Sequence, residues 1–235
     1  MFNFYNGEII LIDKPLTWTS FEAVNKLKHG LKKHPSLFHD NKFVHLKIGH
    51  AGTLDPLATG LLIICTGKKT KIISQIQEQP KEYTGVFFLG ATTPSFDLEK
   101  LIDHQFPTEH ITEQMILDAA KSFVGKQEQT PPIYSAVNVN GERAYDLARE
   151  GKEVELKSKP IEIFEFEIEE IKMPQVSFRI KSSKGTYIRS IARDLGLALK
   201  SGAHLTKLCR TKIGDYKLED ALSPEEFLKR VQPHL

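Results

Sequence analysis

The sequence predicts an α+β fold, with a mixed, largely antiparallel sheet flanked by helices, in one domain spanning residues 1–235. Three observations carry this. Phe164, Phe166 and Ile168 alternate with Glu165, Glu167 and Glu169, and Val176, Phe178 and Ile180 repeat the period-two pattern of a half-buried strand. Thr112 to Val124 places Met115, Ile116, Ala119, Ala120 and Phe123 on one helical face. Strand and helix patterns follow one another irregularly, without the strict alternation of a doubly wound sheet.

The elements read as follows from the N-terminus. Glu8 to Ile12 is a short buried strand stopped by Lys14-Pro15. Thr19 with Glu22 three residues on is a capping box that opens a helix ending near Gly30. A glycine-dense loop, Gly49 to Gly60, leads into the apolar strand Leu61 to Cys65. Lys68 to Ile76 reads as a short helix and Glu82 to Leu89 as a strand. Ser135 to Val139 runs into Asn140-Gly141, the preferred dipeptide of a tight hairpin. Ala144 to Glu150 is a short helix closed by Gly151. Thr186 is expected to cap a helix through Lys200 with Ile188, Ile191, Leu195 and Leu199 buried. Ser223-Pro224-Glu225-Glu226 starts the last helix with a cap, a proline at its first position and a glutamate at its third.

Composition excludes several classes. The N-terminus lacks a basic segment followed by an apolar stretch, as a signal peptide would have, and Leu61 to Cys65 is far too short to span a bilayer. The two cysteines, Cys65 and Cys209, lack metal-ligand spacing and read as free thiols in a reducing compartment, so a cytoplasmic protein is expected. No P-loop or dinucleotide fingerprint is present, and no metal or other cofactor is expected. The net charge of +2 is uninformative, but its distribution is not: nine Lys/Arg stand against Asp194 alone between Arg179 and Lys212, while Ile161 to Glu170 carries five Glu. Such segregation reads either as a basic face for phosphate backbones or as ordinary solvated surface. Lys26 to His34 is also rich in Lys and His.

The most informative segment is Gly49-His50-Ala51-Gly52-Thr53-Leu54-Asp55-Pro56-Leu57-Ala58-Thr59-Gly60. Its glycines permit tight turns and close ligand approach, and Pro56 biases Asp55 toward an extended backbone. A carboxylate so fixed is suited to act as nucleophile or base; residue chemistry alone leaves open an Asx turn at Asp55.

This segment resembles the G-H-x-G-T-L-D-P-x-A-x-G motif of the TruB family of tRNA pseudouridine synthases, at every fixed position. Further resemblances follow in order. They are Leu11-Ile12-Asp13-Lys14-Pro15 with Thr19-Ser20, Lys81-Glu82-Tyr83, Pro131 to Ala136 with Asn140 to Gly151, Lys184 to Arg189, and Leu208-Cys209-Arg210-Thr211. The family's L-G-x-x-T-x-T-x-D-x-x-G pattern is kept at Leu89, Gly90, Thr93 and Asp97, with Ser95 in place of the second threonine and Lys100 in place of the last glycine.

The resemblance implies a pseudouridine-synthase-type fold and an isomerase that converts a tRNA uridine, the one at T-loop position 55, to pseudouridine without cofactor. It implies Asp55 as the catalytic carboxylate, Arg189 as its ion-pair partner, and Tyr83 as the aromatic stacked on uracil near C5. Asp97 is implied as a substrate contact. His50 either fills the space of the flipped base or bonds within its loop. Tyr187 and Leu208 either wall the pocket or pack in the core, and Lys14 either contacts phosphate or supports the catalytic loop. The expected partner is the tRNA T-arm stem-loop, bound by a monomer needing no membrane, no protein partner and no C-terminal PUA domain. A glycosidase or nucleosidase would need a second carboxylate that the motif does not offer. A non-catalytic RNA-binding protein or a guide-RNA-dependent synthase of the dyskerin type are the other readings.

Overall fold

The computed structural model describes residues 2–39, 42–135, 137–139, 141–144 and 156–231. The chain runs β1 (Ile9–Lys14), α1 (Ser20–Gly30), β2 (Phe38–His39), β3 (Lys42–Phe43), β4 (Ile48–His50), β5 (Ala58–Thr66), α2 (Ile73–Glu78) and β6 (Lys81–Leu89). It continues through β7 (Ala91–Thr92), β8 (His104–Gln105), α3 (Glu113–Ser122), β9 (Gly125–Gln129), β10 (Asn138–Val139) and β11 (Glu142–Arg143). The remainder is β12 (Lys159–Lys172), β13 (Gln175–Ser182), α4 (Ile188–Ala198), β14 (Ala203–Ile213), β15 (Tyr216–Lys217) and α5 (Pro224–Val231). Two compact units emerge, Met1–Tyr83 with Cys209–Leu235, and Thr84–Leu208. The boundaries fall inside β6 and β14.

In the first unit, β1 and β4 pair antiparallel with β5, and β14 pairs antiparallel with β15. β5 is buried almost throughout. Leu61, Ile63 and Cys65 pack with Ala51, Ile76 and Ile213, so Leu62 and Ile64 point to the opposite face of the pleat. Helix α1 starts where the sequence places it: the Thr19 hydroxyl accepts from the Glu22 N–H while the Glu22 carboxylate accepts from the Thr19 N–H. Helix α5 repeats the device with Ser223 and Glu226. Gly30 lets α1 meet α5, since a Cβ there would lie 2.4 Å from Leu228 Cδ2.

In the second unit, β12 pairs antiparallel with β13 and with β9. Phe87 stacks on Phe178 with centroids 4.0 Å apart, Phe166 meets both edge-on, and Phe123 beyond α3 meets Phe166.

Two expectations are corrected here. Phe164 does not face the core with Phe166: a register shift between Ile163 and Glu165 turns it out to 38% exposure, and Ile161 and Ile163 take the inward positions. Thr186 does not cap α4. Its hydroxyl donates to Ser183 O instead, and the helix begins after Tyr187, ending at Ala198 rather than Lys200. The helix has no side-chain cap; Gln129 instead fixes the residue before it, accepting from Tyr187 N–H at 2.8 Å and donating to Tyr187 O at 3.1 Å. β10 pairs antiparallel with β11 at Asn138↔Arg143 and Val139↔Glu142, and Asn140 of the expected turn lies outside the described residues. The helix expected over 144–150 lies, after Ala144, outside the described residues.

Candidate functional site

The first unit holds Lys14, His50, Asp55 and Tyr83. Asp55 sits on the irregular turn between β4 and β5, closed by Ala58 N–H on Asp55 O at 3.0 Å. Each backbone carbonyl from Gly52 to Pro56 accepts a hydrogen bond. Ala51 N–H donates to Ile63 O. The Ser20 hydroxyl accepts from Leu54 N–H at 2.8 Å and donates to Leu54 O at 3.2 Å. Thr17, held at a φ of 71°, donates its N–H to Pro56 O at 2.9 Å. A β-branched residue rarely adopts that conformation, which costs on the order of 1–3 kcal/mol.

Two buried cations complete the frame. Lys14 is fully buried, and its ammonium donates to Pro15 O at 2.9 Å, Trp18 O at 2.5 Å and Pro56 O at 3.5 Å. Burial pushes its pKa down to about 8, against the opposing pull of the Asp55 carboxylate. Of its two expected roles, loop support is the one this geometry serves.

Arg210 is 1% exposed. Its Nε donates to Leu61 O at 2.8 Å, Nη1 to Thr53 O at 3.3 Å and Nη2 to Gly52 O at 3.1 Å. The guanidinium also donates to the Tyr83 hydroxyl. Burial lowers its pKa, opposed by Tyr83 and then by Asp55. One planar fork therefore spans the catalytic loop, β5 and the tyrosine. Gly60 makes room for it: φ is +99° there, and a Cβ would fall 2.4 Å from Arg210 O. The motif Leu208 to Thr211 flagged this strand, but nothing in sequence marks an arginine between Cys209 and Thr211 as buried.

His50 bonds to the Gly52 backbone, which favours the bonding alternative for it, and its pKa is lowered chiefly by burial. Its Nδ1 is buried without a hydrogen-bond partner among the described residues.

The second unit holds Asp97, Tyr187, Arg189 and Leu208. Arg189 is 4% exposed in the first turn of α4, with Nη1 donating to Ser95 O at 3.3 Å and Nε 3.6 Å from Asp97 Oδ2. Asp97 Oδ1 accepts from Glu99 N–H, and the Asp97 carbonyl accepts from the Thr93 and Ser95 hydroxyls. The Thr93-x-Ser95-x-Asp97 pattern is thus a self-bonded turn that presents a carboxylate to an arginine. Tyr187 and Leu208 are half-buried.

The basic run from Arg179 to Lys212 is largely spent inside the protein. Arg179 and Lys181 pair with Glu165 and Glu167 across the β12–β13 ladder. Arg189 faces Asp97, Arg193 pairs with Asp194, Lys212 pairs with Glu82, and Arg210 is buried. Six of the nine basic residues are thus paired or buried, while Lys184, Lys200 and Lys207 are exposed.

Comparison with known proteins bears on the same residues. Residues 40–188 match the TruB family pseudouridylate synthase N-terminal domain, and 189–233 match the tRNA pseudouridylate synthase B C-terminal domain. The tRNA pseudouridine synthase B of Flavobacterium johnsoniae is 55% identical over 229 residues, covering 97% of this chain and 98% of that protein. Its counterpart from Phocaeicola vulgatus is 54% identical over 231 residues, covering 96% and 93%. Among solved structures, a chain of a Cbf5-Nop10-Gar1 complex superposes with a TM-score of 0.71 at 28% identity over 97% of this chain. A chain from an H/ACA RNP bound to a substrate RNA containing 2'-deoxyuridine gives 0.68 at 26%. This chain spans about half the length of each of those two chains, 55% and 54%. Both domains of the family are matched in order, relatives sharing half the sequence align from end to end, and the carboxylate motif is complete: this chain belongs to the TruB family of pseudouridylate synthases and isomerises uridine in tRNA.

Proposed function

We propose that the target is the T-loop uridine at tRNA position 55 and that Asp55 is the catalytic carboxylate. The observation that carries this is the frame around Asp55. Arg210, Ser20, Thr17 and Lys14 bind the backbone of residues 52, 53, 54 and 56, leaving a half-exposed carboxylate on an immobilised turn. Fixing a reacting group in this way is worth orders of magnitude in rate.

The reaction breaks N1–C1′, turns the uracil and joins C5 to C1′, with the C5 proton lost and N1 protonated. The base stays bound, so no redox equivalent or nucleotide is consumed. A carboxylate can attack carbon or stabilise a cationic sugar through this sequence. Tyr83 stacks on the uracil, and the hydrogen bond from Arg210 fixes its hydroxyl. His50 bonds its own loop through the Gly52 backbone. In the second unit, Arg189, Asp97, Tyr187 and Leu208 hold the positions that the family's motifs give to substrate-side residues. The target nucleotide must leave its stack to be reached.

The test is tritium release from unmodified tRNA labelled at uridine C5, with the product position read by sequencing. Release with modification at position 55 supports the assignment. Release with modification elsewhere overturns the target.

A further inference from the structure

Six of the nine basic residues between Arg179 and Lys212 are paired or buried, and a second basic segment lies near the N-terminus. Lys26 to Lys47 holds six Lys and four His against a single acid, Asp40. Lys32, Lys33, Lys42 and Lys47 are exposed and make no ion pair among the described residues.

Within this segment stands the hairpin β2–β3. Its base is built into the fold: Leu37 and Leu46 are buried, and Val44 N–H donates to Leu37 O at 2.8 Å. Its body is not. Phe38 and Phe43 sit opposite one another in register, edge-to-face at 5.9 Å, and remain 46% and 50% exposed, with His39 paired to Lys42 beside them. Two phenylalanines held in solvent among lysines are the composition of a stacking platform for unpaired bases. The chain then passes from β3 through His45 and Lys47 directly into β4 and the Asp55 turn, so the hairpin is continuous in sequence with the catalytic segment.

We propose that the β2–β3 hairpin is a second RNA contact, in which Phe38 and Phe43 stack on unpaired bases of the substrate RNA while Lys42, Lys32 and Lys33 neutralise adjoining phosphates. This deepens the tRNA reading and rests on it. A cross-strand aromatic pair also stabilises a hairpin by itself, so the test must separate stacking from hairpin integrity.

Three paired variants do this: Phe38→Ala with Phe43→Ala, Phe38→Ile with Phe43→Ile, and Phe38→Tyr with Phe43→Tyr. Isoleucine keeps the strand propensity and apolar bulk without a π face; tyrosine keeps the face. Filter binding of unmodified tRNA across a salt series should show the Ala and Ile pairs weakened by about 10- to 100-fold, with the Tyr pair within about 2-fold of wild type. The salt slope should stay unchanged in all three, because stacking releases no counterions, whereas Lys42→Gln should lower the slope by roughly one. An Ile pair that binds like wild type overturns the proposal. So does an Ala pair that binds RNA normally while losing a self-association that the wild type shows in sedimentation. If wild-type protein bound tRNA but released no tritium, the catalytic reading would fall while the binding series still decided the hairpin.

Discussion

The Arg189 guanidinium and the Asp97 carboxylate are buried together, Nε 3.6 Å from Oδ2, with side chains 5% and 7% exposed. Removing the Asp97 carboxylate takes a charged partner from this buried guanidinium, a loss of about 1.5–3 kcal/mol. Asp97→Ala should therefore lower the urea midpoint, and Asp97→Asn, which keeps an oxygen for the Glu99 N–H, should lower it less. Tritium release should be severely reduced in both. An Asp97→Ala protein as stable as wild type would show that the pair is not held as a unit.

Arg210 acts through other groups and is a positioning residue. Lysine in its place keeps the charge but cannot serve Leu61 O, Thr53 O, Gly52 O and the Tyr83 hydroxyl from one planar fork. Arg210→Lys should reduce kcat by about 10- to 100-fold while KM for tRNA changes by less than about 3-fold. A raised KM with intact kcat would make Arg210 a ground-state binding residue instead.

Lys14 gives the reaction an alkaline limit. Its pKa is held near 8 in the folded protein, below the unfolded value near 10.5, because burial disfavours the ammonium. Folding therefore bears a cost from this group below pH 8, and stability from it rises as pH climbs from about 8 toward 10.5. Activity should move the other way. Above pH 8 the neutral amine has one donor fewer for Pro15, Trp18 and Pro56, and its charge beside Asp55 is gone. kcat should fall with an apparent pKa near 8, and in Lys14→Met that limb should vanish from a uniformly low profile. A flat wild-type profile through pH 9.5 would contradict this.

Charge reversal at Lys32 and Lys33 should raise KM for tRNA more than it lowers kcat, as for contacts that hold ground and transition states alike. The wild-type affinity should fall steeply with salt. A pure kcat effect at these lysines would place them in the assembly of the site rather than in RNA binding.

The local features of the fold are legible in the sequence because their determinants are local. Thr19 with Glu22 and Ser223 with Glu226 each lie three residues apart and fix a helix start unaided. The start of α4 is not legible, because no side chain caps it and the residue before it, Tyr187, is fixed by Gln129, 58 residues away. Phe164 looks like a core residue until the register shift at Ile163 turns it outward. The same limit governs the site. Asp55, His50 and Tyr83 announce themselves by motif, but the buried fork of Arg210 depends on the carbonyls of Gly52, Thr53 and Leu61, about 150 residues upstream. Arg179 and Lys181 look like part of a basic face only until Glu165 and Glu167 are seen across the ladder.

The most direct test of the central claim is C5-tritium release by Asp55→Asn, whose side chain is nearly isosteric but is no longer a carboxylate. Release should be indistinguishable from background, with the fold and tRNA affinity close to wild type, because the amide is nearly isosteric and the backbone contacts of the turn stay in place. Release at the wild-type rate would contradict it.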